Sequence, residues 1–180
     1  MPLPDLYIIV EGDDDLRFFK DDKVKRALSD NYSRYARLHV IKFVHRNADS
    51  RKSLFDTIKG TSSDYIFVRD NDGATCVSSR KEEIVSRFGE LALDRRRILI
   101  VKKEIESWYI AGVTNEFCRR NRISPEDDTE QFGKRKFDNL IPRDCRSRIS
   151  FMVDIMKTFS FDDAARRNSS FAYFMRKYAP

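Results

Sequence analysis

Cysteine is scarce in this chain and scattered. Cys76, Cys118 and Cys145 are odd in number, far apart and outside any CxxC spacing. That argues against a disulfide framework and against thiolate zinc, and it points to a reducing, cytoplasmic setting. No apolar run approaches the roughly 20 residues that cross a bilayer, so no membrane partner is expected. The opening Met1-Pro2-Leu3-Pro4-Asp5 lacks the basic-then-apolar pattern of a secretory leader. Internal repeats and low-complexity linkers are missing too, which removes solenoids and tethered modules.

What is present suits one α/β domain, or an α/β core with a helical extension, in 180 residues. A hydrophobic fraction of 41% can fill a core, and 36% charged residues can cover a water-facing surface. The net charge is +6, and residues 113–180 carry 14 Lys+Arg against 10 Asp+Glu. Acidic residues are concentrated in a few places within otherwise basic surroundings. Such a distribution suits a polyanionic substrate drawn towards bound cations, although a merely basic protein would look similar.

The first two-thirds alternates strand and helix in the manner of βαβ units. Strands are expected at residues 6–10, 38–44, 64–69 and 97–101. Between them the pattern predicts a helix over 14–29, a short helix capped by Asp49 or Ser50 and ended at Gly60, and a helix from Ser79 to about Leu93. The last of these opens with a Ser79-Arg80-Lys81-Glu82 capping box. After Glu106 the chain turns helical. Ser107 to Gly112 is apolar, Ser124-Pro125 and Pro142 each suggest a helix start, and Ser160 to Asp163 forms another capping box. Ile149, Met152, Val153 and Met156 repeat at helical spacing.

Three strand-like runs deliver carboxylates at their C-terminal ends, where open α/β sheets place their ligand sites. Leu6-Tyr7-Ile8-Ile9-Val10 leads into Glu11-Gly12-Asp13-Asp14-Asp15. Tyr65-Ile66-Phe67-Val68 leads into Arg69-Asp70-Asn71-Asp72-Gly73, and Ile98-Leu99-Ile100-Val101 into Lys102-Lys103-Glu104-Ile105-Glu106. On an extended backbone, residues two apart share a face, which would aim Asp70 with Asp72 and Glu104 with Glu106. Gly12 would permit a tight turn between Glu11 and Asp15. If the strands are neighbours, these acids repel one another unless cations bind. Oxygen ligands without histidine or thiolate favour Mg²⁺ or Mn²⁺, and two ions clamping a phosphodiester are one established use of such a site. Asp13 and Asp14 are better explained as favourable charge at a helix N-terminus, a role open to Asp15 as well.

Glu11-Gly12 after one strand and Asp70-Asn71-Asp72 after another resemble the Toprim domain of topoisomerases, primases and nucleases. The added Glu104-Ile105-Glu106-Ser107-Trp108, and Asp15 four residues after Glu11, are similar to the OLD-family nucleases and to small stand-alone bacterial relatives. This resemblance covers roughly residues 6–112. It implies a mostly parallel, Rossmann-like sheet of about four strands flanked by helices (1–112), with a helical, basic extension (113–180) packed on that core. It implies metal-dependent cleavage of DNA or RNA, with Glu11 as metal ligand or general acid/base and Asp70 and Asp72 holding Mg²⁺. Asp15 would be a further ligand, and Glu104 and Glu106 would complete a second site, for two ions in all. The relatives carry a catalytic lysine, for which Lys102 and Lys103 are the candidates; Lys103 is taken as catalytic. A role in defence against foreign nucleic acid is a further implication. So is a partner ATPase, which would be a separate polypeptide because the chain has no GxxxxGK[ST] loop.

Ala74 stands where the longer D-x-D-x-D pattern of topoisomerases has a third acid, which favours hydrolysis over strand passage. Arg46, Lys102, Arg119 and Arg120 are the candidate phosphate ligands, with further basic clusters at Lys134-Arg135-Lys136 and Arg166-Arg167. Taken singly, each cluster is better explained as a solvated face than as a nucleic-acid contact; together they suit backbone phosphates if they line one groove. Trp108, His39, Phe171, Tyr173 and Phe174 are expected to be structural, and His45 an ordinary loop residue. Two other readings stay open. Asp70-Asn71-Asp72-Gly73-Ala74-Thr75 echoes the DxDGT signature of aspartate-nucleophile phosphatases, with the threonine displaced by one position. A non-catalytic Toprim module that binds a partner ATPase is the other.

Overall fold

Four short runs of branched and aromatic residues pair into one parallel sheet in the computed structural model, which describes residues 3–30, 35–44, 46–124 and 126–179. They are Leu6–Val10 (β1), Leu38–Lys42 (β2), Asp64–Asp70 (β3) and Ile98–Val101 (β4), in the order β2-β1-β3-β4. Strands covered on both faces read as continuous apolar runs, and Ile8, Ile9, Val10, Phe67, Val68 and Leu99 are indeed fully buried. The register sets Leu6 against Leu38 on one side and Asp64 on the other, and Ile9 against Ile41 and Phe67. The three acid-bearing strands are therefore consecutive neighbours.

Helices flank the sheet, making the first unit α/β. Asp13–Lys20 (α1), Asp22–Asp30 (α2), Ala48–Gly60 (α3) and Val77–Arg87 (α4) alternate with the strands. Ile9 and Phe67 from the sheet meet Phe55 and Ile58 of α3 and Ile84 of α4, with Phe43 and Phe88 closing the cluster. Phe43 lies edge-on to Phe67 at 5.1 Å and to Phe88 at 5.4 Å. Each such buried ring contributes about 2–3 kcal/mol.

Several helix ends differ from their sequence-based expectation, each for a local reason. The single helix expected over 14–29 is two helices, because Asp21 takes an extended conformation and its side chain accepts Lys23 N–H at 2.9 Å, capping α2. Asn47, not Asp49 or Ser50, caps α3 by accepting Ser50 N–H at 2.8 Å. In α4 the cap is Cys76. Ser79 is the third helical residue and accepts Cys76 N–H at 3.2 Å, so the capping box begins three residues earlier than Ser79 suggests. This helix ends at Arg87, short of Leu93, and is followed by two 3-10 turns, Gly89–Leu91 and Arg95–Arg97.

The chain divides into two compact units, the first reaching Ile100 and the second running from Val101 to Tyr178. The second is helical: Glu106–Ala111 (α5), Asn115–Asn121 (α6), Lys134–Leu140 (α7), Arg148–Lys157 (α8), Phe161–Arg167 (α9) and Ser169–Tyr178 (α10). Pro125 lies outside the described residues, and 126–133 contain no helix. Pro142 does not start one either. It sits in a turn, its carbonyl accepting Cys145 N–H at 2.9 Å, while Ser147, directly before Arg148, caps α8 by accepting Ser150 N–H at 3.1 Å. The buried face of α8 is Phe151, Met152, Ile155 and Met156, whereas Ile149 and Val153 are exposed. Ser160 caps α9 as expected, accepting Asp163 N–H at 3.1 Å.

A buried polar chain ties this unit together. Trp108 Nε1–H donates to Ser170 Oγ at 2.8 Å, Ser170 donates to Asn168 Oδ1 at 2.7 Å, and Asn168 Nδ2 reaches Thr129 Oγ1 at 3.2 Å. Arg167 is buried, donating to Val113 O at 2.6 Å, so this member of a basic cluster is structural. Trp108, Phe171 and Phe174 are core residues, as expected. Gly112 follows α5, where a Cβ would stand 2.1 Å from the Phe159 ring. Gly112→Ala is expected to cost about 1–3 kcal/mol through overpacking, read as a lower denaturant midpoint at unchanged m-value.

Candidate functional site

Side chains alternate across a strand, so Ile9 and Glu11 share the face carrying Phe67 and Arg69. Continuing the β1–β3 register by two places sets Glu11 opposite Arg69. The two form a long ion pair, Arg69 Nε to Glu11 Oε2 at 3.9 Å. Glu11 Oε2 is buried and accepts no hydrogen bond among the described residues. Arg69 is almost fully buried, donates to Val68 O at 2.8 Å, and lies over the Phe67 ring at 4.0 Å and the Phe43 ring at 4.8 Å. Burial lowers its pKa to about 10 against the pull of Glu11 and Asp15, which leaves it charged at neutral pH.

Asp15 is in the first turn of α1 and is buried. Its carboxylate accepts Gly12 N–H at 3.0 Å. Burial, reinforced by the charge of Glu11, raises its pKa to about 6 despite that hydrogen bond. Gly12 itself is extended (φ −116°, ψ −175°), so it does not provide the tight turn expected of it. Its contribution is a close approach: a Cβ there would lie 3.2 Å from the Asp15 carboxylate. Asp13 and Asp14 begin α1, as expected, and pair with Lys42 and Arg17.

Asp70 is the half-buried last residue of β3. The common face expected for Asp70 and Asp72 does not form, because the strand ends there and Asp72 takes a left-handed conformation with φ 46°. Asp72 pairs with Arg80 of α4, which also donates to Asp70 O at 3.0 Å and to Glu83 at 2.9 Å. Beside Glu11 and Arg69 lies a cavity of about 250 Å³. Arg51, Arg80 and Arg87 line it from α3 and α4, over Phe43 and Phe88. None of these three arginines, nor Arg69, stands out in the sequence as a site residue. The one available signal for Arg69 is an arginine on the core-facing side of a buried strand.

In the second unit the extended spacing assumed for Glu104 and Glu106 is also replaced, since β4 stops at Val101 and Glu106 opens α5. Glu106 is buried and paired with Arg148, which also pairs with Asp138. Glu104 accepts the Lys134 N–H. Lys102 pairs with Glu130, which also takes the Ser169 N–H. Burial raises the Glu130 pKa, but these partners outweigh it and hold the carboxyl below its usual range. Lys103 is exposed and lines a cavity of about 590 Å³ with Glu104, Lys134, Arg135 and Lys136. Arg119 and Arg120 are exposed on α6. In the first unit, Arg46 donates from Nε to Lys42 O at 3.4 Å, and His45 lies outside the described residues. Among the described residues, no three His, Cys, Asp or Glu side chains form a ready-made metal cage.

The raised pKa of Asp15 gives a stability signature. The folded protein holds this proton up to about pH 6, whereas the unfolded chain releases it near pH 3.8. Its contribution to stability is complete below the lower value and is lost as pH rises through the upper one, by about 3 kcal/mol at most. Asp15→Asn should flatten that slope, leaving stability unchanged below the window and raising it above pH 6, as measured by denaturant unfolding across pH. No family model, curated protein or solved structure matches the chain, so a functional assignment rests on the residues just described.

Proposed function

We propose that the chain is a Toprim-like nuclease that hydrolyses DNA or RNA phosphodiester bonds with bound Mg²⁺ or Mn²⁺, and that Glu11 is its principal carboxylate. The observation that carries this reading is the Glu11 oxygen, buried at the end of a central strand without a hydrogen bond. A buried acceptor left in that state costs free energy that a cation would recover. Asp15, whose carboxyl is already pushed up by burial and by Glu11, gains from the same ion. All-oxygen donors of this kind fit hard divalent cations.

Glu11, Asp15 and Asp70 are the residues that would hold the ion. Asp72 is committed to Arg80, so its claim on an ion competes with that pair. One ion on the first unit suffices for this reading, since Glu104 and Glu106 are engaged by Lys134 N–H and Arg148. When bound, the ion supplies Lewis-acid polarisation of a phosphate oxygen and a more acidic water. Glu11 would take up a proton as the acid/base carboxylate, and until it does so Arg69 balances its charge in this buried setting. Lys103, Lys134, Arg135 and Lys136, gathered around one cavity, are suited to backbone phosphates, whose binding falls steeply with salt.

Purified protein should cleave DNA or RNA with Mn²⁺ or Mg²⁺ and stop on chelation. Glu11→Gln and Asp70→Ala should each reduce cleavage by about a hundredfold or more, as expected for loss of an acid/base or ligand group. Wild-type rates in both variants would remove the proposed site.

A further inference from the structure

The cavity beside Glu11 is more cationic than carboxylate chemistry requires. Arg51, Arg69, Arg80 and Arg87 line it against the single carboxylate of Glu11. Two of these guanidinium groups share one ring: Arg51 lies 4.7 Å from the Phe43 centroid and Arg69 lies 4.8 Å from it. They are close enough that Arg51 lowers the proton affinity of Arg69. Arg51 also carries a buried Nε with no hydrogen-bond partner among the described residues. An orphaned donor on a charged group is costly, and the like charges add repulsion.

Not every arginine here is free to bind. Arg80 is held by Asp72, Glu83 and the Asp70 carbonyl, so it forms a wall of the cavity. Arg51 lacks such bonds at Nε, Arg69 is held over its rings by one carbonyl bond, and Arg87 is exposed at 5.5 Å from the Phe88 centroid. Planar guanidinium forks match tetrahedral oxyanions through paired N–H bonds, which ammonium groups do not. At about 250 Å³ the cavity is smaller than the roughly 300–1,000 Å³ of pockets for drug-sized ligands. It suits a compact charged group better than a whole nucleotide.

We propose that this cavity is a phosphate-monoester site, with Arg51 and Arg69 as its anion ligands, Arg87 at its mouth and Phe43 and Phe88 as its apolar floor. Glu11 borders the site and opposes the bound anion. The inference requires no metal and does not depend on the nuclease assignment. The same chemistry is offered by the phosphorylated end of a nucleic-acid strand and by a free phosphate-bearing small molecule.

The test uses the full chain in chelator. Inorganic phosphate, at constant ionic strength, should raise the melting temperature of the wild type. Arg51→Gln should weaken phosphate binding about tenfold or more while circular dichroism remains unchanged. Glu11→Gln should bind phosphate at least as tightly as the wild type, even where it abolishes cleavage, so the two readings fail separately. A preference for 5′-phosphorylated over 5′-hydroxyl oligonucleotide, lost in Arg51→Gln, would identify the ligand as a strand end. Equal oligonucleotide binding alongside a phosphate response would identify it as a small molecule. If Arg51→Gln does not fold, Arg51→Lys and Arg87→Gln take its place, and at least one must weaken phosphate binding. No response in the wild type, or equal responses in wild type and foldable variants, overturns the proposal.

Discussion

A charged guanidinium placed at the end of a central strand organises everything around it in the first unit. Arg69 lies against the ring of Phe67 two residues earlier in β3 and against Phe43. An ion this deeply buried is tolerated only if it is compensated. Here the compensation is distributed: two aromatic faces, the Val68 carbonyl, and the electrostatic field of Glu11, Asp15 and Asp70. The acidic residues thus have a partner supplied by the chain itself. Their mutual repulsion, which would otherwise demand an external cation, is reduced though not abolished, as the raised Asp15 pKa indicates.

The strands were legible because buried parallel strands are apolar throughout, and all four begin and end within two residues of their expected bounds. Asp13, Asp14 and the Ser160 cap were readable for a similar reason, since helix N-termini have few solutions. The misses have a common cause. Facing of Asp70 with Asp72, and of Glu104 with Glu106, was inferred by extending strand periodicity past the strand. At Asp72 the backbone enters the left-handed region, and at Glu106 it is already helical. Periodicity reports on regular structure and is silent at its ends, where these acids lie. The break at Asp21 was hidden because α1 and α2 both contribute buried apolar residues to a pattern that reads as one helix.

Partners across the sequence were the least legible part. Nothing local pairs Arg80 with Asp72 rather than with Glu83 alone, and nothing marks Arg148, more than forty residues on, as the counterion of Glu106. An arginine pair in sequence does not show which member is buried: Arg167 is bonded to the Val113 carbonyl inside the unit, while its neighbour Arg166 pairs with Asp163 near the surface. A basic residue is assigned to groove or core by what it packs against, and only the fold supplies that.

The Trp108 indole is enclosed by Phe171 and Phe174, with its N–H on Ser170. It is also the only tryptophan in the chain. Intrinsic tryptophan emission therefore belongs entirely to the second unit, and the first is optically silent in that band. A fluorescence melt follows the helical unit, while the sheet that bears Glu11 and the arginine cavity must be followed by another signal.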